Sequence, residues 1–157
     1  MSRKRIVAII ITSILIVLNL IFIWGNSCMS QESSSQSSSG VYETIKPVLD
    51  ATLGDGVVTH SVFRKTAHFI EFCCLGILVP LLFVLIYGIK VKNLIAIFFA
   101  GLLVAVIDES LQILSNRGSD VADVLLDYCG YIFGVGILFL IVFIYKKVFK
   151  QRNKIKE

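Results

Sequence analysis

Four long apolar runs dominate the pattern of hydrophobic and polar positions along the chain. They cover residues 6–24, 69–87, 94–112 and 124–145. A helix rises about 1.5 Å per residue, so each run is long enough to cross a hydrocarbon core of roughly 30 Å. The third run is purely apolar only as far as Ile107, and it must continue through Asp108, Glu109 and Gln112 to span. We therefore predict an all-α integral membrane protein with four transmembrane helices.

The composition agrees with this pattern and narrows the classes of function. Of the 157 residues, 56% are hydrophobic and 17% are charged, and the mean hydropathy is +0.84. These values argue against a soluble enzyme, a disordered chain and a disulfide-stapled mini-protein. The net charge of +4 comes from the segregated ends of the chain, which argues against a nucleic-acid binder.

The distribution of basic residues predicts the orientation. Eleven of the 15 Lys and Arg residues lie in the N-terminal tail, the 88–93 loop and the C-terminal tail, which share one side of the membrane if there are four spans. Because Lys and Arg concentrate in cytoplasmic loops, we expect a multi-pass plasma-membrane protein with both termini in the cytoplasm. The basic start Arg3-Lys4-Arg5 also allows a cleaved signal peptide, which would leave the remaining topology unchanged.

These spans divide the chain into four segments. Residues 1–25 form the first transmembrane helix with its basic cytoplasmic start, and residues 26–65 form an external Ser-rich loop. Residues 66–145 form a three-helix core, and residues 146–157 form a basic cytoplasmic tail. The low-complexity stretch 33–40 carries too few apolar side chains to order itself, so it is expected to be a flexible linker, with room for a short surface helix after it.

Three carboxylates on three different spans reach the same depth. Counted from the cytoplasmic end of each helix, Glu71, Asp108 and Asp127 lie about 24, 21 and 27 Å up. A carboxylate that faces lipid costs several kcal/mol, so these polar faces should turn inward and meet. The sequence predicts a polar pocket that opens to the outside, with Arg117 in the short loop above it. The predicted binding residues are Lys65, His68, Glu71, Asp108, Glu109, Gln112, Arg117, Asp123 and Asp127.

Residues 64–72 (RKTAHFIEF), 108–112 (DESLQ) and 117–119 (RGS), followed by Asp123, Asp127 and Gly130, strongly resemble the motifs of the VanZ-like family. The Ser-rich stretch also fits, so the resemblance covers nearly the whole chain. It implies a small bacterial membrane protein of the cell envelope. The named member of the family is linked to low-level resistance to teicoplanin, a lipid-tailed glycopeptide.

Two positions depart from the pattern of that family. Phe72 stands where the family usually has Tyr, which removes a hydroxyl from the expected edge of the pocket. Asp127 stands where many members have Asn.

Each polar group has a structural and a functional interpretation. His68 is a candidate metal ligand or proton shuttle, or simply a histidine satisfied by a neighbouring carboxylate. Asp108 and Glu109 are candidates for acid–base chemistry, or for ion pairs with Lys65 and Arg117 that hold the helices together. No Cys-x-x-Cys pair is present, and we predict no metal site and no cofactor. Gly130-x-x-x-Gly134 predicts close helix packing.

The charges of the expected cluster do not balance. Three cations face six carboxylates, which are Glu71, Asp108, Glu109, Asp120, Asp123 and Asp127. Such an excess in a low dielectric requires protons, a cation or a cationic group on a ligand.

Three functions fit these features. The first is a non-enzymatic envelope protein whose outer pocket binds a lipid-linked head group, such as that of a cell-wall precursor, or an amphiphilic glycopeptide. The second is a membrane-embedded enzyme for a lipid-linked substrate, with Asp108 or Glu109 as the base and His68 or Lys65 beside an anionic oxygen. The third is a small transporter, which four spans permit only as an oligomer. The expected partners are membrane lipids and no nucleic acid.

Overall fold

The computed structural model describes residues 2–88, 90–118 and 120–154, and in these residues the regular structure is entirely α-helical. Five helices follow one another, namely α1 (Arg3–Ser27), α2 (Gln31–Leu53), α3 (His60–Tyr87), α4 (Asn93–Leu114) and α5 (Val121–Lys154). Helices α1, α3 and α4 and residues Val121–Val148 of α5 are long and apolar enough to cross a membrane. The predicted all-α, multi-pass membrane fold with four spans is confirmed. Ser119 and the last three residues of the basic tail lie outside the described residues.

The helices extend beyond the apolar runs because polar residues cap their ends. The side chains of Ser2, Ser30 and Thr59 each accept a hydrogen bond from a backbone N–H in the first turn of the following helix. Such caps satisfy donors that the helix itself leaves open. Thr59 starts α3 nine residues before the apolar run begins, and this early start adds a polar turn that carries Arg64, Lys65 and His68.

The Ser-rich segment is helical, so the prediction of a flexible linker is wrong. Helix α2 includes all of residues 33–40, and Ser38 donates to the carbonyl of Ser34 at 2.8 Å, within the helix. Two contacts tie α2 to the start of α3. The hydroxyl of Tyr42 donates to the carbonyl of Val58 at 2.7 Å, and Ser38 Oγ lies 2.9 Å from Nε2 of His60.

Helix α3 packs mainly against α5, and glycines permit the close approach. A Cβ atom on Gly134 would lie 2.1 Å from the carbonyl oxygen of Cys73, and one on Gly130 would lie 2.5 Å from that of Phe69. The predicted close packing at Gly130-x-x-x-Gly134 is therefore confirmed. Tyr131, between these glycines, is fully buried and donates to the carbonyl of Ile97 in α4 at 2.8 Å.

Phe72 lies in this core rather than at a pocket edge. Its side chain is fully buried and packs in one cluster with Leu75, Ile97, Tyr131 and other apolar residues. Helix α3 turns position 72 towards the apolar core. The expectation that Phe72 removes a hydroxyl from the pocket edge is therefore wrong, because this position does not lie at the pocket edge.

Candidate functional site

Asp108 lies at the centre of the polar cluster and is completely buried. Its Oδ1 accepts a hydrogen bond from the hydroxyl of Ser27 at 2.6 Å, and its Oδ2 accepts one from Nε2 of Gln112 at 2.9 Å. The Gln112 contact follows from the i, i+4 spacing on α4. Ser27 is a site residue that the sequence analysis missed, although its place at the C-terminal end of α1 puts it at the depth of the carboxylates.

Three helices bring His68, Asp108 and Asp127 together. One ring nitrogen of His68 and one carboxylate oxygen of each aspartate all lie within 4.8 Å of one another. The equal depth of these positions on α3, α4 and α5 places them side by side. This grouping is a candidate cation site. The sequence analysis predicted no metal site, because it found no Cys-x-x-Cys pair.

Asp127 is buried without a partner. Its side chain is only 2% exposed, and it forms no hydrogen bond or ion pair with the described residues. It also lies in the electrostatic field of Asp108, Asp123, Glu109 and Glu71. An unpaired carboxylate among four others is costly in a low dielectric, so this position favours a bound cation or a proton.

Glu109 points away from that trio towards the start of α5. Its Oε1 accepts the backbone N–H of Asp120 at 2.8 Å, while its buried Oε2 has no hydrogen-bond partner in the part of the chain that the structure describes. Asp120 itself is exposed and accepts the N–H of Ala122 at 2.9 Å, at the beginning of α5. The expectation that Asp120 belongs to the cluster is therefore wrong, because its position at the helix start turns it to the surface.

Arg117 lies above the cluster, where it is placed by a tight turn at the end of α4. Asn116 has a positive φ of 56°, which Asn tolerates better than most residues, and the N–H of Arg117 then donates to the carbonyl of Gln112 at 3.0 Å. The side chain is 6% exposed and donates through Nη1 to the carbonyl of Asn26 at 3.1 Å, while its Nε has no partner. Burial lowers the pKa of Arg117, yet a guanidinium stays charged in proteins.

Lys65 and Asp123 form an ion pair at 2.6 Å near the mouth of the cluster. It is the one Lys or Arg ion pair with a carboxylate among the side chains that the structure describes, those of residues 2–88, 90–118 and 120–148. Their side chains are 50% and 32% exposed, so the pair lies at the edge of the cluster. Neither Lys65 nor Arg117 pairs with Asp108 or Glu109, so that part of the structural interpretation is wrong.

Two cavities meet at this site. The polar cavity, about 250 Å³, lies between α3, α4, α5 and the 117–118 loop, and its polar lining includes Arg64, Lys65, His68, Arg117, Asp123 and Asp127. The lateral groove, about 370 Å³, lies between α1, α2 and α3. Its apolar lining comprises Phe22, Met29, Val41, Phe63 and Ala67. Arg64 and His68 line both cavities.

The remaining predicted residue, Glu71, lines the lateral groove rather than the polar cavity. It is half-buried, and its Oε2 has no hydrogen-bond partner among the described residues. The structure thus divides the predicted residues between two adjoining spaces instead of one pocket.

Comparison with known proteins identifies one family. The family described as VanZ/LLP1 matches residues 6–143, which include all five of the helices at least in part and every residue of the site. No curated protein and no solved structure matches the chain.

Proposed function

The chain belongs to the VanZ/LLP1 family, and we propose that it binds a lipid-linked amphiphile, with an anionic phosphate head group in the polar cavity and the lipid chain in the lateral groove. The proposal places the polar cavity on the outer side of the plasma membrane, in accordance with the predicted orientation. The observation that carries it is the junction of the two cavities at Arg64 and His68.

The head group is assigned as anionic because of two unmatched guanidinium groups. Arg64 is half-buried and forms no hydrogen bond or ion pair with the described residues, and Arg117 uses only Nη1. Planar guanidinium donors match phosphate oxygens in pairs. A diphosphate between Arg64 and Arg117 would satisfy donors that have no acceptor among the described residues, and the buried carboxylates beside it would then carry protons or a cation.

The tail is assigned to the lateral groove because its apolar side chains come from three different helices. Phe22 and Met29 come from α1 and the turn after it, Val41 from α2, and Phe63 and Ala67 from α3. A lipid tail already lies in hydrocarbon, so the groove would hold it by van der Waals packing against these side chains rather than by transfer from water. Helix α2 therefore forms one wall of the groove, so its helical structure is needed for binding of the tail.

A lipid-tailed glycopeptide is the second ligand class that this arrangement supports, since it also joins a polar body to an alkyl chain. Occupation of the same site by either ligand would connect the protein to teicoplanin-type resistance. Direct competition between the two ligands for the purified protein tests this connection.

An enzyme is a second candidate function, favoured by the closeness of His68 to two carboxylates, since one ligand atom of each lies within 4.8 Å of the others. Acid–base groups within reach of a bound diphosphate could promote its hydrolysis. Recovery of the ligand after incubation with the protein distinguishes the two functions, because a binder returns it unchanged.

The binding test uses the full chain in nanodiscs with a polyprenyl diphosphate and the corresponding polyprenol. We expect the diphosphate to bind at least on the order of tenfold more tightly, as charge-assisted hydrogen bonds predict. Arg117→Gln and Arg64→Gln should each remove most of this preference, while Lys92→Gln, which changes an exposed cation at the other end of the bundle, should keep it. Equal affinities for the diphosphate and the alcohol would contradict the proposal.

A further inference from the structure

The trio of His68, Asp108 and Asp127 has a geometry that suits one small cation. Its three ligand atoms lie within 4.8 Å of one another. Three ligands that each lie about 2.1 Å from one ion in a tetrahedral arrangement are about 3.4 Å from one another. Side-chain rotations that move each ligand atom by less than about 1 Å would therefore bring all three atoms to bonding distance from one ion.

Asp127 supplies an independent sign of a missing partner. Its side chain is only 2% exposed and lines the polar cavity. It has no hydrogen bond or ion pair with the described residues. The buried Nδ1 of His68 likewise has no hydrogen-bond partner there. Both residues belong to the trio whose ligand atoms lie within 4.8 Å of one another, so an ion bound there would give Asp127 a partner and could also engage His68.

The carboxylate of Asp108 is oriented by hydrogen bonds from neighbouring side chains, as metal-binding carboxylates commonly are. Ser27 donates to one of its oxygens and Gln112 to the other, so the carboxylate plane is fixed while each oxygen keeps a free lone pair. Outer partners of this kind orient ligating carboxylates and are part of the design of metal sites.

We propose that His68, Asp108 and Asp127 bind a divalent transition-metal ion of the Zn²⁺ type, with the remaining coordination position facing the polar cavity. The imidazole nitrogen favours Zn²⁺ or a similar metal over Ca²⁺ and Mg²⁺, which prefer oxygen ligands. Two carboxylates balance the charge of the ion, which answers the excess of negative charge in the cluster. The site does not depend on the proposed binding of an amphiphile.

Metal content of the full chain tests this site. The protein, carrying an affinity tag without histidine, is placed in phosphatidylcholine nanodiscs free of polyprenyl lipids and equilibrated with Zn²⁺. We expect one ion per chain by elemental analysis after dialysis. Asp127→Asn and His68→Gln should weaken binding by roughly tenfold or more, since even the loss of an outer partner costs about that much.

Matched controls are available for both substitutions. Asp120→Asn changes an exposed aspartate at the start of the same helix as Asp127, and His60→Gln changes the other histidine of the chain, which contacts Ser38. Both control variants should bind Zn²⁺ as the unaltered protein does. Equal loss in the controls, or unchanged binding in Asp127→Asn and His68→Gln, would overturn the proposal.

A measurement on the unaltered protein covers the case in which these variants do not fold. Co²⁺ in a site of low coordination number with nitrogen and oxygen ligands gives visible absorption bands. We expect such bands from one Co²⁺ per chain, and their disappearance when Zn²⁺ is added. Absence of the bands, or bands that Zn²⁺ cannot displace, would also overturn the proposal.

Discussion

At the scale of single residues, helical spacing identified which side chains share a face, but not what each side chain contacts. The Asp108–Gln112 hydrogen bond could be predicted, because residues four apart on a helix are neighbours. The contact of Ser27 with Asp108 could not, because it joins positions 81 apart and depends on how α1 packs. Asp120 and Phe72 were misplaced for the same reason, since spacing does not show where a helix begins or which face meets a neighbouring helix.

The Lys65–Asp123 pair offers the prediction that belongs to this scale. Because both side chains are partly exposed, the pair should contribute only about 0.2–1 kcal/mol to stability. We expect Lys65→Ala, Asp123→Asn and the double variant to unfold at temperatures within a few degrees of the unaltered protein. Thermal unfolding of all four proteins in detergent gives the coupling energy.

A large loss of stability in Lys65→Ala that Asp123→Asn restores would contradict this estimate of the pair. It would mean that Lys65 is the essential counter-ion of the carboxylate cluster.

At the scale of elements, the four spans could be predicted from apolar length, whereas helix α2 could not. Composition alone made residues 33–40 a linker, yet contacts from Tyr42 and Ser38 to the residues before and at the start of α3 order the segment. Such contacts depend on the tertiary structure, which a window of Ser residues does not reveal. The small-residue motif on α5 was the clearest signal of packing between elements.

Gly134→Ala tests that packing. The added Cβ would lie 2.1 Å from the carbonyl oxygen of Cys73, so the backbones of α3 and α5 would have to separate. We expect a loss of at least about 1–3 kcal/mol, the usual cost of overpacking. Reversible unfolding in mixed micelles measures this change.

Gly136→Ala is the control on the same helix, because its added Cβ meets no atom within 4 Å. It should leave stability unchanged or raise it slightly, as alanine favours helix more than glycine does. Equal stability of the two variants would contradict the close packing of α3 against α5.

At the scale of the whole molecule, the distribution of Lys and Arg predicts which end of the bundle faces the cytoplasm. Cys28 is exposed in the turn after α1, at the same end of the bundle as the polar cavity. In intact cells, an impermeant thiol reagent should label Cys28 from outside, and a reporter fused after Glu157 should be active only in the cytoplasm. Cys28→Ser provides the control for labelling.

Labelling of Cys28 only in broken cells would reverse the orientation. The polar cavity would then face the cytoplasm, and a ligand from the outer leaflet could not be its occupant.

The most direct test of the account is the position of a bound amphiphile. A polyprenyl diphosphate with a diazirine in the units next to the head group can be cross-linked to the full chain and mapped by mass spectrometry. We predict labels at groove residues such as Phe22, Met29 and Phe63, lost on competition with unlabelled diphosphate and reduced by Arg117→Gln. Labels confined to outward-facing residues such as Phe143 and Ile144, and insensitive to competition, would contradict the binding of a lipid-linked head group at this site.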